Sequence, residues 1–161
     1  MDKVIVITGA GGVLCSGFAE FLAAKGAKVA LLDINEQAAS AVAEKIRANG
    51  GTAFAYKCNV LDKADIESVH GKVKADLGAC DILINGAGGN NPKGSTTKDY
   101  LEEADLENKV DVTGIKTFFD LDPDGVSFVF NLNFLGTLIP TQVFAKDMAK
   151  RAETSIINIS S

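Results

Sequence analysis

The chain has 161 residues, 47% hydrophobic and 23% charged, with a formal net charge of −5, enough for one domain with a sizeable core. The acidic balance offers a polyanion nothing to hold, and no uninterrupted apolar stretch approaches the roughly 18 residues that span a bilayer, so neither nucleic acid nor membrane is expected as a partner. The first apolar run starts almost at the N-terminus, leaving no room for a signal peptide, and a cytoplasmic location is expected.

Lys3 to Thr8 reads as a buried strand, its run Val4-Ile5-Val6-Ile7 leading into Thr8-Gly9-Ala10-Gly11-Gly12. A helix is expected from about Leu14 to Lys25, with Leu14, Phe18, Phe21 and Leu22 on its apolar face and Gly26 ending it. Lys28 to Leu32 forms a second strand, followed at once by Asp33. Asn35 to Asn49 reads as a helix with Ala38, Ala39, Val42 and Ile46 inward, closed by Gly50-Gly51. Thr52 to Lys57 is a third strand, Asp62 to Leu77 a helix built on Ile66, Val69 and Val73, and Asp81 to Ile84 a fourth strand. Residues 89 to 121 form an irregular excursion whose acids, Glu102, Glu103, Asp105, Glu107 and Asp111, read as solvated. Asp122-Pro123 then starts a helix to about Lys150. Its apolar residues, among them Val129, Phe130, Phe134, Leu138 and Phe144, circle most of its surface, which implies burial on every side. Thr154 to Ile159 is a fifth strand. The three cysteines, Cys15, Cys58 and Cys80, are odd in number and widely spaced, as buried free thiols of a reducing compartment are. With His70 the single histidine, no metal is expected.

Alternating apolar strands and helices specify an α/β fold with a parallel sheet covered on both faces. A strand, a turn too tight for side chains, a helix, and a second strand ending in an acid form the layout of a dinucleotide site. There the glycines let backbone N–H groups approach a pyrophosphate, and the acid takes ribose hydroxyls. Asp33 accepts from the adenosine ribose 2′-OH and repels a 2′-phosphate, and no lysine or arginine follows in Ile34-Asn35-Glu36. NAD is therefore expected over NADP.

Four motifs in order carry a resemblance that spans essentially the whole chain: Thr8-Gly9 after the first strand, Asn85-Gly86-Ala87-Gly88 after the fourth, Asn133-Phe134-Leu135-Gly136-Thr137 in the long helix, and Ile157-Asn158-Ile159-Ser160-Ser161. Together they resemble the short-chain dehydrogenases/reductases. The resemblance implies a doubly wound Rossmann-type sheet of about five strands in the order 3-2-1-4-5, one NAD(P)-binding domain over 1–161, C-terminally truncated. It places Thr8, Gly9, Gly11, Gly12, Leu14, Asp33, Asn59, Val60, Asn85, Gly86, Ala87 and Gly88 at the cofactor. It also implies that the long helix at about 123–150 is shared with a partner subunit of a homo-oligomer. Four positions depart from the family pattern. Val13 and Cys15 stand where glycines are usual, and Gly86 replaces the second asparagine of Asn-Asn-Ala-Gly. An aspartate is usual at Asn59, whose amide is still able to meet adenine.

In the resembling family, chemistry is shared among an asparagine, a serine, a tyrosine and a lysine. Asn133 matches the asparagine, which maintains a proton path through water, and Ser161 the serine, which hydrogen-bonds the substrate oxygen. Tyr-x-x-x-Lys matches nothing, because Tyr56 and Tyr100 are followed four residues later by Val60 and Ala104. A phenol of pKa near ~10 needs a cationic neighbour to act near neutrality, so the chain as given is expected not to transfer hydride. Within the family, the stretches Asn85 to Lys93 and Lys116 to Pro123 resemble bacterial sugar-acid reductases of the D-mannonate oxidoreductase (fructuronate reductase) type. Asn90, Asn91 and Lys93 suit a polyhydroxy carboxylate, with amides for hydroxyls and an ammonium for the carboxylate. Two other readings stay open: a non-catalytic dinucleotide-binding module, and a sugar-nucleotide epimerase-like member of the longer type, to which Gly12 points.

Overall fold

In a computed structural model that describes residues 2–107 and 113–160, the chain runs β1 (Val4–Thr8), α1 (Val13–Ala24), β2 (Lys28–Asp33), α2 (Glu36–Ala48), β3 (Thr52–Lys57), α3 (Lys63–Asp76) and β4 (Ile82–Asn85). After an irregular stretch follow α4 (Pro123–Phe130), a π-helical turn (Asn131–Leu135), α5 (Gly136–Met148) and β5 (Ser155–Asn158). All strand pairs are parallel and the order is β3-β2-β1-β4-β5, the Rossmann-type order that the motifs imply.

Strand alternation splits the core into two layers. Val4 and Val6 of β1 point to the layer that α3 and α5 cover with Ile66, Val69, Val73, Val143, Phe144 and Met148. Ile5 and Ile7 point to the other, covered by Cys15, Ala19 and Ala23 of α1 and by Ala39, Ala43 and Ile46 of α2. Local chemistry sets the helix starts: Asn35 accepts from Ala38 N, Asp62 from Ala64 N and Asp65 N, and Asp122 from Asp124 N with Pro123 in the first turn. Gly12, the N-cap of α1, offers no side chain.

Several sequence expectations need correction. The buried stripe of α1 is Cys15, Ala19 and Ala23, while Leu14 and Phe21 are exposed. Small residues face the sheet because α1 lies close upon it, and the long side chains splay to the flanks. The helix beginning at Pro123 is not buried all round, since Phe128, Phe130, Phe134 and Leu138 are exposed and its buried face is Gly136, Pro140, Val143, Phe144 and Met148. Its continuous path, Pro123–Met148, is long and apolar enough by length and composition to cross a membrane. Polar residues such as Asn131, Asn133 and Thr137 interrupt every uninterrupted apolar run, which hides this in a simple scan of the sequence.

The described residues of the excursion are tied together at its neck. Thr97 N donates to Lys116 O at 2.9 Å, and Lys116 N donates to Thr97 Oγ1 at 2.8 Å. Asp105 is not solvated: it is 9% exposed, pairs with Lys98 Nζ at 2.7 Å and accepts from Glu102 N at 2.9 Å. Asp111 lies outside the described residues. The short 3-10 turn Pro92–Gly94 docks on α4 where Gly94 and Gly125 meet backbone to backbone, each closing to under 3.0 Å on the other's missing Cβ.

Candidate functional site

A cleft of about 400 Å³ opens over the C-terminal ends of β1, β2, β3 and β4, where the strand order reverses between β1 and β4. Open α/β sheets bind ligands in this crevice. Gly9, Gly11 and Gly12 form one wall, with Asp33, Ile34, Asn35 and Ala38 beside them. Cys58, Asn59 and Val60 follow β3, Gly86, Ala87 and Gly88 follow β4, and Leu132 closes the far side.

The glycine turn is shaped by its neighbours. Gly9 has φ +65°, and a Cβ there would lie 2.8 Å from Ala87 Cα. A Cβ on Gly11 would lie 2.7 Å from Ala38 Cβ and 3.1 Å from Asp33 Oδ2. With no side-chain cap at Gly12, the first-turn N–H groups of α1, Leu14 among them, are left for water or an anionic ligand. Asp33 is oriented by two backbone donors, Gly11 N to Oδ2 and Asn35 N to Oδ1, both at 2.8 Å. Its carboxylate keeps lone pairs for further donors. No lysine or arginine lines the cleft among the described residues.

Asn59 is fixed from both sides. Its Oδ1 accepts from Leu61 N at 3.0 Å, and its own N–H donates to Asp65 Oδ2 at 2.7 Å. The side chain therefore turns Nδ2, a donor, to other partners, where an aspartate would offer only acceptors. Thr8 is fully buried, and its Oγ1 accepts from Gly86 N and Ala87 N, both at 3.1 Å. Asn85 is also buried; Nδ2 donates to Thr141 Oγ1 and to Asn158 Oδ1, both at 2.9 Å, while Oδ1 has no partner among the described residues. Thr8, Leu14 and Asn85 thus fall outside the cleft wall, and Thr8 reaches it through the β4 loop.

Asn133 sits in the π-helical turn. Its Nδ2 donates to Gly89 O and to Val129 O, both at 2.8 Å, and its Oδ1 accepts from Gly89 N at 3.2 Å. Such turns recur at functional sites because they re-aim side chains out of the helical ladder. Ser161 lies outside the described residues. Asn90, Asn91 and Lys93 lie together beyond Gly89, apart from the cleft wall. Asn90 Oδ1 accepts from Asn91 N and Ser95 Oγ, and Asn91 Oδ1 from Lys93 N, so both carbonyl oxygens serve the local turn. Lys93 stands 3.8 Å from Asp122 and is largely exposed.

Tyr56 OH donates to Asp76 at 2.8 Å, and burial, with that hydrogen bond second, raises its pKa further from neutrality. Tyr100 is 83% exposed in the excursion. All three cysteines are buried and free, and burial pushes the thiols of Cys58 and Cys80 up to about 12.

Residues 3–161 match the short chain dehydrogenase family. The chain belongs to that family. The chain is 55% identical over 160 residues to an uncharacterized oxidoreductase of Haemophilus influenzae, covering 99% of the chain and 54% of that relative. It is 42% identical over 159 residues to the uncharacterized oxidoreductase UxuB of Bacillus subtilis, again covering 99% of the chain and 54% of the relative. Its fold matches, with a TM-score of 0.91 and 53% identity, a crystal structure with bound NAD of a Haemophilus influenzae protein provisionally assigned as a D-mannonate oxidoreductase. That match covers 98% of this chain and 54% of the other. The chain thus spans about half the length of these relatives.

Sequence reasoning missed Ile34, Asn35, Ala38, Cys58 and Leu132 in the cleft wall. Asn35 and Ala38 read as a helix start and its buried face, and Leu132 as one apolar residue among many. Ile34 carried a usable signal, an apolar residue straight after a strand-ending acid, and it is 64% exposed.

Proposed function

We propose that the chain is the dinucleotide-binding domain, over 1–161, of a cytoplasmic NAD-dependent oxidoreductase. It would transfer hydride between nicotinamide and a carbonyl or alcohol, with a sugar acid of the mannonate/fructuronate class as substrate. The observation that carries the reading is Asp33, held by two backbone N–H groups at the cleft with no lysine or arginine among the described lining residues. A carboxylate so placed accepts from ribose hydroxyls and repels a 2′-phosphate. NAD bound to the relative with 53% identity supports the same choice. The glycine turn and the uncapped start of α1 would hold the pyrophosphate, with Asn59 and Val60 toward the adenine and Gly86 to Gly88 toward the nicotinamide. Bound there, NAD would supply the hydride acceptor.

On this reading Asn133 and Ser161 serve the reacting end, and Asn90, Asn91 and Lys93 meet the sugar acid through the two amide Nδ2 groups and the ammonium. The exposed aromatic face of α4 and α5 would be shared with a second subunit. Neither tyrosine has a lysine four residues on, so this 161-residue stretch by itself is expected to bind NADH without turnover. Titration with NADH and NADPH tests the cofactor: NADH is expected to bind more tightly, with the preference lost in Asp33→Ser. The protein at the full length its gene encodes is expected to reduce fructuronate with NADH. Inactivity on sugar acids beside robust activity on an unrelated ketone would sink the substrate assignment.

A further inference from the structure

Cys15 and Gly86, two of the four positions that depart from the family pattern, lie against one another. A side chain at 86 would begin in collision with Cys15 Sγ, and its Cβ would lie 3.0 Å from Thr8 O on another side. The thiol is 5% exposed and stands behind the cleft wall, whereas Gly86 is part of that wall. The seam closes at two further points. Thr8 Oγ1 accepts from Gly86 N and Ala87 N, and Gly9 leaves no room for a Cβ against Ala87 Cα. Along this seam the loops after β1 and β4 rest on each other, and Cys15 fills the space that Gly86 leaves. Burial, with the Asp33 charge second, raises the thiol's pKa, so it is a neutral filler rather than a nucleophile near pH 7.

We propose that Cys15 and Gly86 form a complementary pair that sets the height of the Gly86-Ala87-Gly88 loop over the glycine turn, which makes Cys15 a positioning residue for the dinucleotide. The proposal rests on the reading of the cleft as an NAD site. Close-packed loops tolerate neither an added methyl nor a vacated side chain without shifting. A side chain at 15 with none at 86 satisfies the seam, and so does the reverse arrangement, whereas filling both positions or neither does not.

The test uses Cys15→Gly, Gly86→Ala and the double variant in the protein at the full length its gene encodes. Melting temperature without ligand is read together with Kd for NADH and for adenosine 5′-monophosphate. Gly86→Ala is expected to lower the melting temperature and to raise Kd for NADH about tenfold, the scale of an overpacked contact. Cys15→Gly is expected to raise it about threefold, and the double variant to return within about twofold of the wild type, a coupling well above additivity. The monophosphate, which reports the Asp33 end, is expected to shift less than about twofold throughout, a separation that general destabilisation does not produce. Effects that simply multiply overturn the pairing, and parallel losses for both ligands overturn the positioning role. A wild type that binds no NADH instead removes the cofactor reading and the positioning role with it. The coupling in melting temperature needs no ligand and still decides whether the two residues are a pair.

Discussion

Gly88 shows how single side chains govern the cleft. A Cβ at this position would lie 2.7 Å from Asn133 Oδ1, the oxygen that accepts from Gly89 N. The same amide donates to Gly89 O and Val129 O, so one side chain stitches the β4 loop to the π-helical turn. Gly88→Ala would push the amide out of this clamp, and each lost hydrogen bond is worth about 1 kcal/mol net. The variant is expected to be less stable by about 1–2 kcal/mol in urea denaturation. Asn133→Ala is expected to cost a similar amount, and the double variant little more than either single one, because both remove the same clamp. Full additivity would show that Gly88 and Asn133 act separately. The motif residues at this site were legible because glycine and amide at strand ends have few structural reasons to be there. Their division of labour was not, since Thr8 and Asn85 turn out buried behind the wall while Ile34, Ala38 and Leu132 form it. Apolar walls of a cleft and apolar walls of a core look alike in a sequence.

At the level of elements, β1, β2 and β4 were legible within a residue or two because parallel strands buried on both faces read as continuous apolar runs. By contrast β3 is half exposed, and β5, short and apolar at its centre, is exposed throughout. The face of α1 was not legible, because its contact with the sheet is made by Cys15, Ala19 and Ala23, which carry less hydrophobic signal than Phe21 or Leu14. Nor was the anchor that joins strands at the start of β4. Asp81 Oδ2 accepts from Val4 N at 2.7 Å, Oδ1 pairs with Arg151 at 2.6 Å, and its backbone bonds Val4 O and Ser155 N. Arg151 also donates to Ala79 O and Cys80 O, so the turn after α5 is fastened to β1, β4 and β5 together. Asp81→Ala leaves a buried N–H and a guanidinium without their partner. Its expected cost is about 3 kcal/mol, read as a lower urea midpoint at unchanged slope. A loss below about 0.5 kcal/mol, the scale of a surface pair, would show that water replaces the carboxylate at no cost.

Across the whole molecule, a polar contact on the α3 and α5 side, outside their shared core, runs through Asp147, which meets Lys74 Nζ at 2.8 Å and His70 Nε2 at 3.3 Å. His70 packs edge-on against Phe144, whose ring is fully buried in the core beneath. The Lys74 hydrogen bond, opposed by partial desolvation, holds the Asp147 carboxyl below its ordinary value. A carboxylate with a depressed folded pKa binds fewer protons in the folded state than in the unfolded state. Its stabilisation is therefore complete above the unfolded value near ~3.9 and fades as pH falls through the lower folded value. Asp147→Asn removes this contribution while keeping the side chain's shape. The wild type is expected to exceed the variant in stability above about pH 5, and the two curves are expected to converge toward about pH 2. Added salt is expected to narrow the margin above pH 5, because the pair is partly exposed and screened. Urea midpoints for both proteins across that range decide the matter. A margin that persists unchanged to the acid end would mean that Asp147 acts through packing or neutral hydrogen bonding, and that its charge contributes nothing to holding α3 against α5.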